Sequence, residues 1–177
     1  DFSVFPAPLQ QGDVLLSAAF DMGLIDEPSL LMGGVLSLDY ALPADVGLTI
    51  GFEAGIAGAD AGGSRSLGVI PVLARFAWHP NWGVRNLDTS VTVKMGVGIG
   101  FWLGERQGLE NPGGIALGIT LGARYFLNEY IGVFTELGYD HYMLPFKAGA
   151  REPLLNGMRI FALGVTFNLA AGGAEAE

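Results

Sequence analysis

The stretch Val46 to Gly58, VGLTIGFEAGIAG, decides how the whole chain reads. One parity runs Val46, Leu48, Ile50, Phe52, Ala54, Ile56. The other runs Gly47, Thr49, Gly51, Glu53, Gly55, Ala57. Bulky apolar groups fall on one side and small or polar groups on the other. A period of two puts alternate side chains on opposite faces of a strand, whereas a helix would repeat every 3.6 residues.

The same split recurs along the chain and predicts eight strands. They lie near 13–23, 31–42, 46–58, 67–79, 88–103, 114–127, 130–143 and 158–169. The fifth is the longest: Val91, Val93, Met95, Val97, Ile99 and Phe101 alternate with Ser90, Thr92, Lys94, Gly96, Gly98 and Gly100. Those three glycines are not a nucleotide-binding fingerprint, because position 103 is Leu and no helical pattern follows.

Composition narrows the class. The chain has 177 residues, 28 of them glycine, a formal net charge of −9 and no cysteine. Its mean hydropathy is +0.42. The absence of cysteine excludes disulfides, thiolate zinc sites and a cysteine nucleophile. The acidic balance argues against nucleic acid, which selects basic surfaces. A spanning helix needs about 20 consecutive apolar residues. The best candidate, Val91 to Leu103, is short and contains Lys94. The composition suits a membrane, but the pattern belongs to strands.

The face that carries the charges also carries the glycines. Pointing into a narrow barrel, small residues leave room for charged neighbours; the bulky face then meets lipid. Unpaired backbone groups cannot be solvated there, so the sheet has to close. The expectation is an all-β fold: a closed antiparallel eight-stranded transmembrane up-and-down β-barrel over residues 1–169, followed by a short acidic tail, 170–177. Asp1-Phe2-Ser3 reads as the start of a processed chain.

Connection lengths suggest an orientation. Leu42 to Asp45 and Asn128-Glu129 read as tight turns. The alternate links, Leu24 to Leu31, Ala59 to Ser66, Gly104 to Gly113 and Leu144 to Gly157, are longer. Bacterial barrels have short periplasmic turns and longer external loops. The termini are therefore expected in the periplasm, with His79 to Asn86 as a longer periplasmic turn. An aromatic girdle is expected at Tyr40, Trp78, Tyr125 and Phe167 on the periplasmic side and at Phe20, Phe101, Tyr139 and Phe161 outside.

Ile70-Pro71-Val72-Leu73-Ala74-Arg75 leads into His79-Pro80-Asn81. Gly122-Ala123-Arg124-Tyr125-Phe126 is followed by Gly132 to Tyr139, and Phe161 to Leu169 closes the pattern. In these residues the chain resembles the small eight-stranded outer-membrane barrels, the OmpA-transmembrane, OmpX and OmpW-like group. The resemblance implies a Gram-negative outer-membrane location. Its OmpW side implies a narrow pore or transporter for small or hydrophobic compounds. The last strand resembles the carboxy-terminal signal read by barrel-assembly machinery, with Phe167 late in the strand. The tail after it is a departure, and is too short for a peptidoglycan-binding domain.

Inward charges are the candidate site. Glu53, Arg75, Lys94, Arg124 and Glu136 fall on five successive strands at broadly similar heights, with Asp39, Asp21 or Asp140 needed to balance them. Such a set makes either a selectivity constriction or a salt-bridge network that plugs the lumen. Buried charges need partners, so Glu53 is expected to contact Arg75 or Lys94. The stripe reads as locally basic.

No enzyme is expected. Asp140-His141 beside Tyr139 and Tyr142 hints at acid–base chemistry, and outer-membrane lipid A deacylases pair a serine with a histidine, but position 143 is Met and no serine lies near in sequence. No cofactor and no metal site is expected: His79 and His141 fall on opposite faces and rims, and Asp26, Glu27, Glu105 and Glu110 lack calcium-loop spacing. Pro71 should interrupt a ladder or mark a bulge. Expected partners are outer-membrane lipid and lipopolysaccharide, with Arg65, Arg106, Lys147 and Arg151 as the basic loop residues. A protein partner in an envelope assembly is also expected, for which the last loop, with Pro145, Glu152 and Pro153, is long enough.

Overall fold

A computed structural model of the chain describes residues 9–25, 29–42, 47–60, 66–80, 82, 84, 86–103, 113–144 and 155–169; for 25, 29, 60, 103 and 155–161 it describes backbone alone. Eight strands follow one another: β1 Val14–Ile25, β2 Ser29–Ala41, β3 Leu48–Asp60, β4 Ser66–Trp78, β5 Leu87–Leu103, β6 Gly113–Phe126, β7 Ile131–Met143 and β8 Leu155–Asn168. Each pairs antiparallel with its neighbours, and β8 returns to β1, so the sheet is a closed all-β barrel in up-and-down order.

Closure follows from what the strands carry. Side chains of the bulky parity stand outward around the whole barrel; Leu36 is 59% and Phe52 67% exposed. In water this belt would be an apolar patch far larger than soluble proteins carry; against lipid it is the expected surface. With every strand paired, no backbone edge is left toward the hydrocarbon. The barrel is therefore a transmembrane β-barrel that crosses with strands and not with a helix.

Val14 and Asn168 lie at one end, here the terminal end, and the other is the loop end. The strands run further toward the loop end than alternation predicts. Leu24 pairs with Leu30 and Ile25 with Ser29, so the Leu24 to Leu31 connection is no long loop. The outward-facing Leu24 and Leu30 extend the apolar pattern past the expected stop. At the terminal end, the expected two-residue turn Asn128-Glu129 is a four-residue link, 127–130. The Leu127 N–H donates to Ile131 O (2.8 Å), and Asn128 Oδ1 accepts from the N–H groups of Tyr130 and Ile131. An Asn side chain that stands in for a backbone turn explains the extra length.

Pro71 lies on the lumen face. Its pairing with Gly98 of β5 is intact, while the β3 ladder skips from Ala54↔Val72 to Ala57↔Val69 with no change of register. The missing N–H interrupts one ladder without producing a bulge.

The Leu42 to Asp45 turn, the 170–177 tail, Asp26, Glu27, Arg65, Glu105, Arg106, Glu110, Pro145, Lys147, Arg151, Glu152 and Pro153 lie wholly or mostly outside the described residues.

Candidate functional site

The buried residues of the described barrel face the lumen, apart from Gly68, and they sort into three layers along the axis.

The middle layer is charged. Arg75 of β4 is its hub. Its Nε donates to Asp39 of β2 (3.2 Å), Nη1 to Glu53 of β3, and Nη2 to Glu136 of β7 (2.8 Å). Lys94 of β5 lies 3.3 Å from Glu53 and 3.0 Å from Asp140 of β7. Glu53 thus touches both cations and joins the two halves into one network across five strands. A guanidinium suits the hub because its planar fork presents several N–H groups in fixed directions. All six side chains are at most 6% exposed.

Arg75 and Lys94 stand directly opposite each other on β4 and β5. Like charges so placed repel; here the carboxylates come between them. Space for the carboxylates is supplied by glycine. Gly51 faces both Asp39 and Arg75 in register, and a Cβ there would collide with Asp39 Oδ1. Gly118 faces both Lys94 and Asp140, and a Cβ there would collide with Asp140 Oδ1 and crowd Lys94 Cε. The glycine excess of the lumen face has this local cause.

Arg124 is not part of this layer. Register pairs it with Asp88, and its Nη1 donates to Asp88 Oδ2 (3.1 Å). Asp88 is six residues from Lys94, roughly 20 Å along the strand. Estimating heights hairpin by hairpin ignores the stagger that strand tilt builds into a barrel. With Arg124 removed and Asp39 and Asp140 present, two cations sit among four carboxylates, so the described middle layer is acidic, and the expectation of a basic stripe is corrected.

The layer at the terminal end is built around Asp88. His79 Nδ1 lies 2.8 Å from Asp88 Oδ1 and Nε2 lies 3.1 Å from Thr49 Oγ1. The Arg124 guanidinium lies 5.7 Å from the Phe134 ring centre and 6.0 Å from that of Phe126. His79 is held in place because its own N–H donates to Gly47 O (2.7 Å). Both ring nitrogens are engaged within the barrel, and His141 is on the outer face at the other end. His141 stacks on Tyr139 with ring centres 6.2 Å apart, and the Tyr139 hydroxyl lies 3.4 Å from its Nδ1.

The third layer, toward the loop end, is apolar. Leu31, Leu67, Val69, Leu73, Trp102, Tyr142 and Leu144 pack inside the barrel with Ala57, Ala59 and Ala116. Alternation alone assigns this face to small and polar groups. Trp102 and Tyr142 have the inward parity, and that is the signal that could have revealed the layer.

Around the outside, Tyr40, Trp78, Tyr125 and Phe167 are exposed at the terminal end, and Phe20 and Tyr139 toward the loop end. The Phe101 ring lies across Gly68 of the neighbouring strand. Phe161 is in β8, where backbone alone is described. Trp82 and Tyr130 add to the terminal rim, Trp82 donating from Nε1 to Thr89 Oγ1 (2.6 Å). They sit in connections, where no alternation marks them.

The sequence matches no family model and no curated protein. Solved structures do match. The fold is that of the small outer-membrane barrels. Neisserial surface protein A aligns with a TM-score of 0.67 at 12% identity, over 89% of this chain and 96% of that one. A major outer membrane protein from Thermus thermophilus gives 0.66 at 13%, over 90% and 100%. OprG from Pseudomonas aeruginosa gives 0.65 at 12%, over 90% and 97%. Identities this low carry the architecture and leave the chemistry of the lumen to be read from this chain.

Proposed function

We propose that the chain is an integral protein of a bacterial outer membrane, structural or interactive in role, with its lumen closed and its contacts made through loops or barrel wall. The supporting observation is the layered interior: ion-paired charges across the middle and apolar side chains packed beyond them. Eight-stranded barrels are just wide enough for side chains to fill. A water-filled path would need polar lining throughout, whereas the described residues of the apolar layer offer only Trp102 Nε1 and Tyr142 Oη, with the Asp21 carboxylate buried at the layer's edge, opposite Gly33 and one strand from Ala57. The termini then lie in the periplasm and the loop end faces outward, toward lipopolysaccharide and any envelope partner. The runner-up, a narrow pore or transporter for small or hydrophobic compounds, draws on the same apolar layer as a greasy lining. A lipid-modifying enzyme is the least supported reading, since the described contact of the His141 ring nitrogen is with Tyr139 and not with a nucleophile.

Reconstitution into planar bilayers separates the first two readings. The closed barrel shows no discrete current steps and no faster uptake of apolar dyes into vesicles. Stable steps or catalysed uptake would establish the transporter reading in its place. Co-purification from native membranes in mild detergent then identifies the partner.

A further inference from the structure

The outer half of β8 carries one residue more than its neighbours. Against β1, the register runs Asp21↔Ala162 and Met22↔Phe161, then jumps to Gly23↔Arg159. Against β7, it runs Glu136↔Ala162, then resumes at Asp140↔Gly157. Three residues of β7 therefore face four of β8, and a single step along β1 spans two steps of β8. Both seams place a single extra residue between Gly157 and Ala162, as a β-bulge does.

The bulge inverts the parity of what precedes it. Ala162 is fully buried on the lumen face, and strict alternation from it puts position 159 on the lipid face. Residues directly opposite in a ladder share a face. Position 159 is opposite Gly23, which is buried in line with the lumen-facing Asp21. Position 157 is opposite the lumen-facing Asp140. Position 159 therefore lies on the lumen face, one diagonal step from Asp21 on one side and from Asp140 on the other.

We propose that the β8 bulge is a register lock for barrel closure: it places Arg159 on the face that carries Asp21 and Asp140, and any one-residue slip of the closing strand would carry that charge onto the lipid face. A slip of one residue exchanges the faces of a whole strand, and a cation among lipid chains is strongly disfavoured. The last strand has two seams to set at once, and a single charge next to the bulge penalises the wrong alignment at both. This holds whether or not the lumen conducts.

The absence of native cysteine makes the face directly measurable. Single cysteines at 159, 162 and 163, spin-labelled in the folded barrel in phosphatidylcholine vesicles, report collision with oxygen (lipid) and with a nickel chelate (water). The label at 159 should match 162, not the lipid-facing 163. Deleting Ile160 takes the extra residue out, so plain alternation from Ala162 keeps position 159 on the lumen face and the label should stay matched to 162. A lipid-like label at 159 in the otherwise native chain overturns the proposal. The charge is tested separately by unfolding rates in urea. Arg159→Gln should unfold about fivefold faster, Arg159→Lys about as slowly as the native chain, and Asp21→Asn or Asp140→Asn should remove most of the glutamine penalty. A penalty unchanged in both asparagine backgrounds, or absent altogether, contradicts the charge role.

Discussion

The middle and the outer half of the lumen solve the same packing problem in opposite ways. In the middle, large charged groups fit because Gly51 and Gly118 remove the side chains opposite them, and each charge is held by a partner two or more strands away. Beyond it, Leu67, Val69, Leu73 and Trp102 fill the barrel as an ordinary apolar core does. The first arrangement depends on its hubs: deleting Arg75 takes away the cation that Asp39, Glu53 and Glu136 share. The second degrades gradually, by cavity volume. In the proposed closed barrel, the charged layer sets which side chains must meet, while the apolar layer would form the seal.

Mutations should expose this contrast, beginning with the largest effect. Arg75→Ala abandons three carboxylates at once and should cost about 3–5 kcal/mol, read from urea unfolding in detergent or vesicles. Adding Glu53→Gln should recover part of that loss, and no recovery would argue that the pair is not coupled. In the apolar layer, Leu73→Ala should cost about 2–4 kcal/mol through its cavity, with no polar second mutation able to rescue it. A rescue by charge neutralisation there would erase the distinction between the layers. Gly118→Ala should cost about 1–3 kcal/mol by overpacking onto Asp140, and Asp140→Ala in the same chain should make it nearly neutral. The smallest effect belongs to the rim: Trp82→Phe loses one exposed hydrogen bond to Thr89 and should shift stability by about 1 kcal/mol or less.

Much of this was legible in the chain. The eight strands, their faces and closure follow from period two, as in Val46 to Gly58, because burial on one side alone enforces alternation. The pairing of Glu53 with Arg75 and Lys94 was legible because buried opposite charges on nearby strands have few other partners. The height of Arg124 was not, since stagger between strands is set by the whole closed sheet and not by one hairpin. The apolar layer was missed for a related reason. Leu67, Val69 and Leu73 share a parity with Arg75, and parity names a face without saying what lies at each depth along it. The β8 bulge is invisible to alternation by construction, since it is a break in the rule being applied.

In the proposed barrel one parity faces lipid and the other a closed interior. The chain has three tryptophans, one of which, Trp102, is buried in the lumen while Trp78 is on the outer face. Fluorescence of single-tryptophan variants in vesicles of brominated phosphatidylcholine reads both directly. The layered barrel predicts strong quenching of Trp78 by the lipid, and of Trp102 neither by the lipid nor by aqueous acrylamide. Quenching of Trp102 by brominated lipid would contradict the assignment of faces, and quenching by acrylamide would contradict the closed interior.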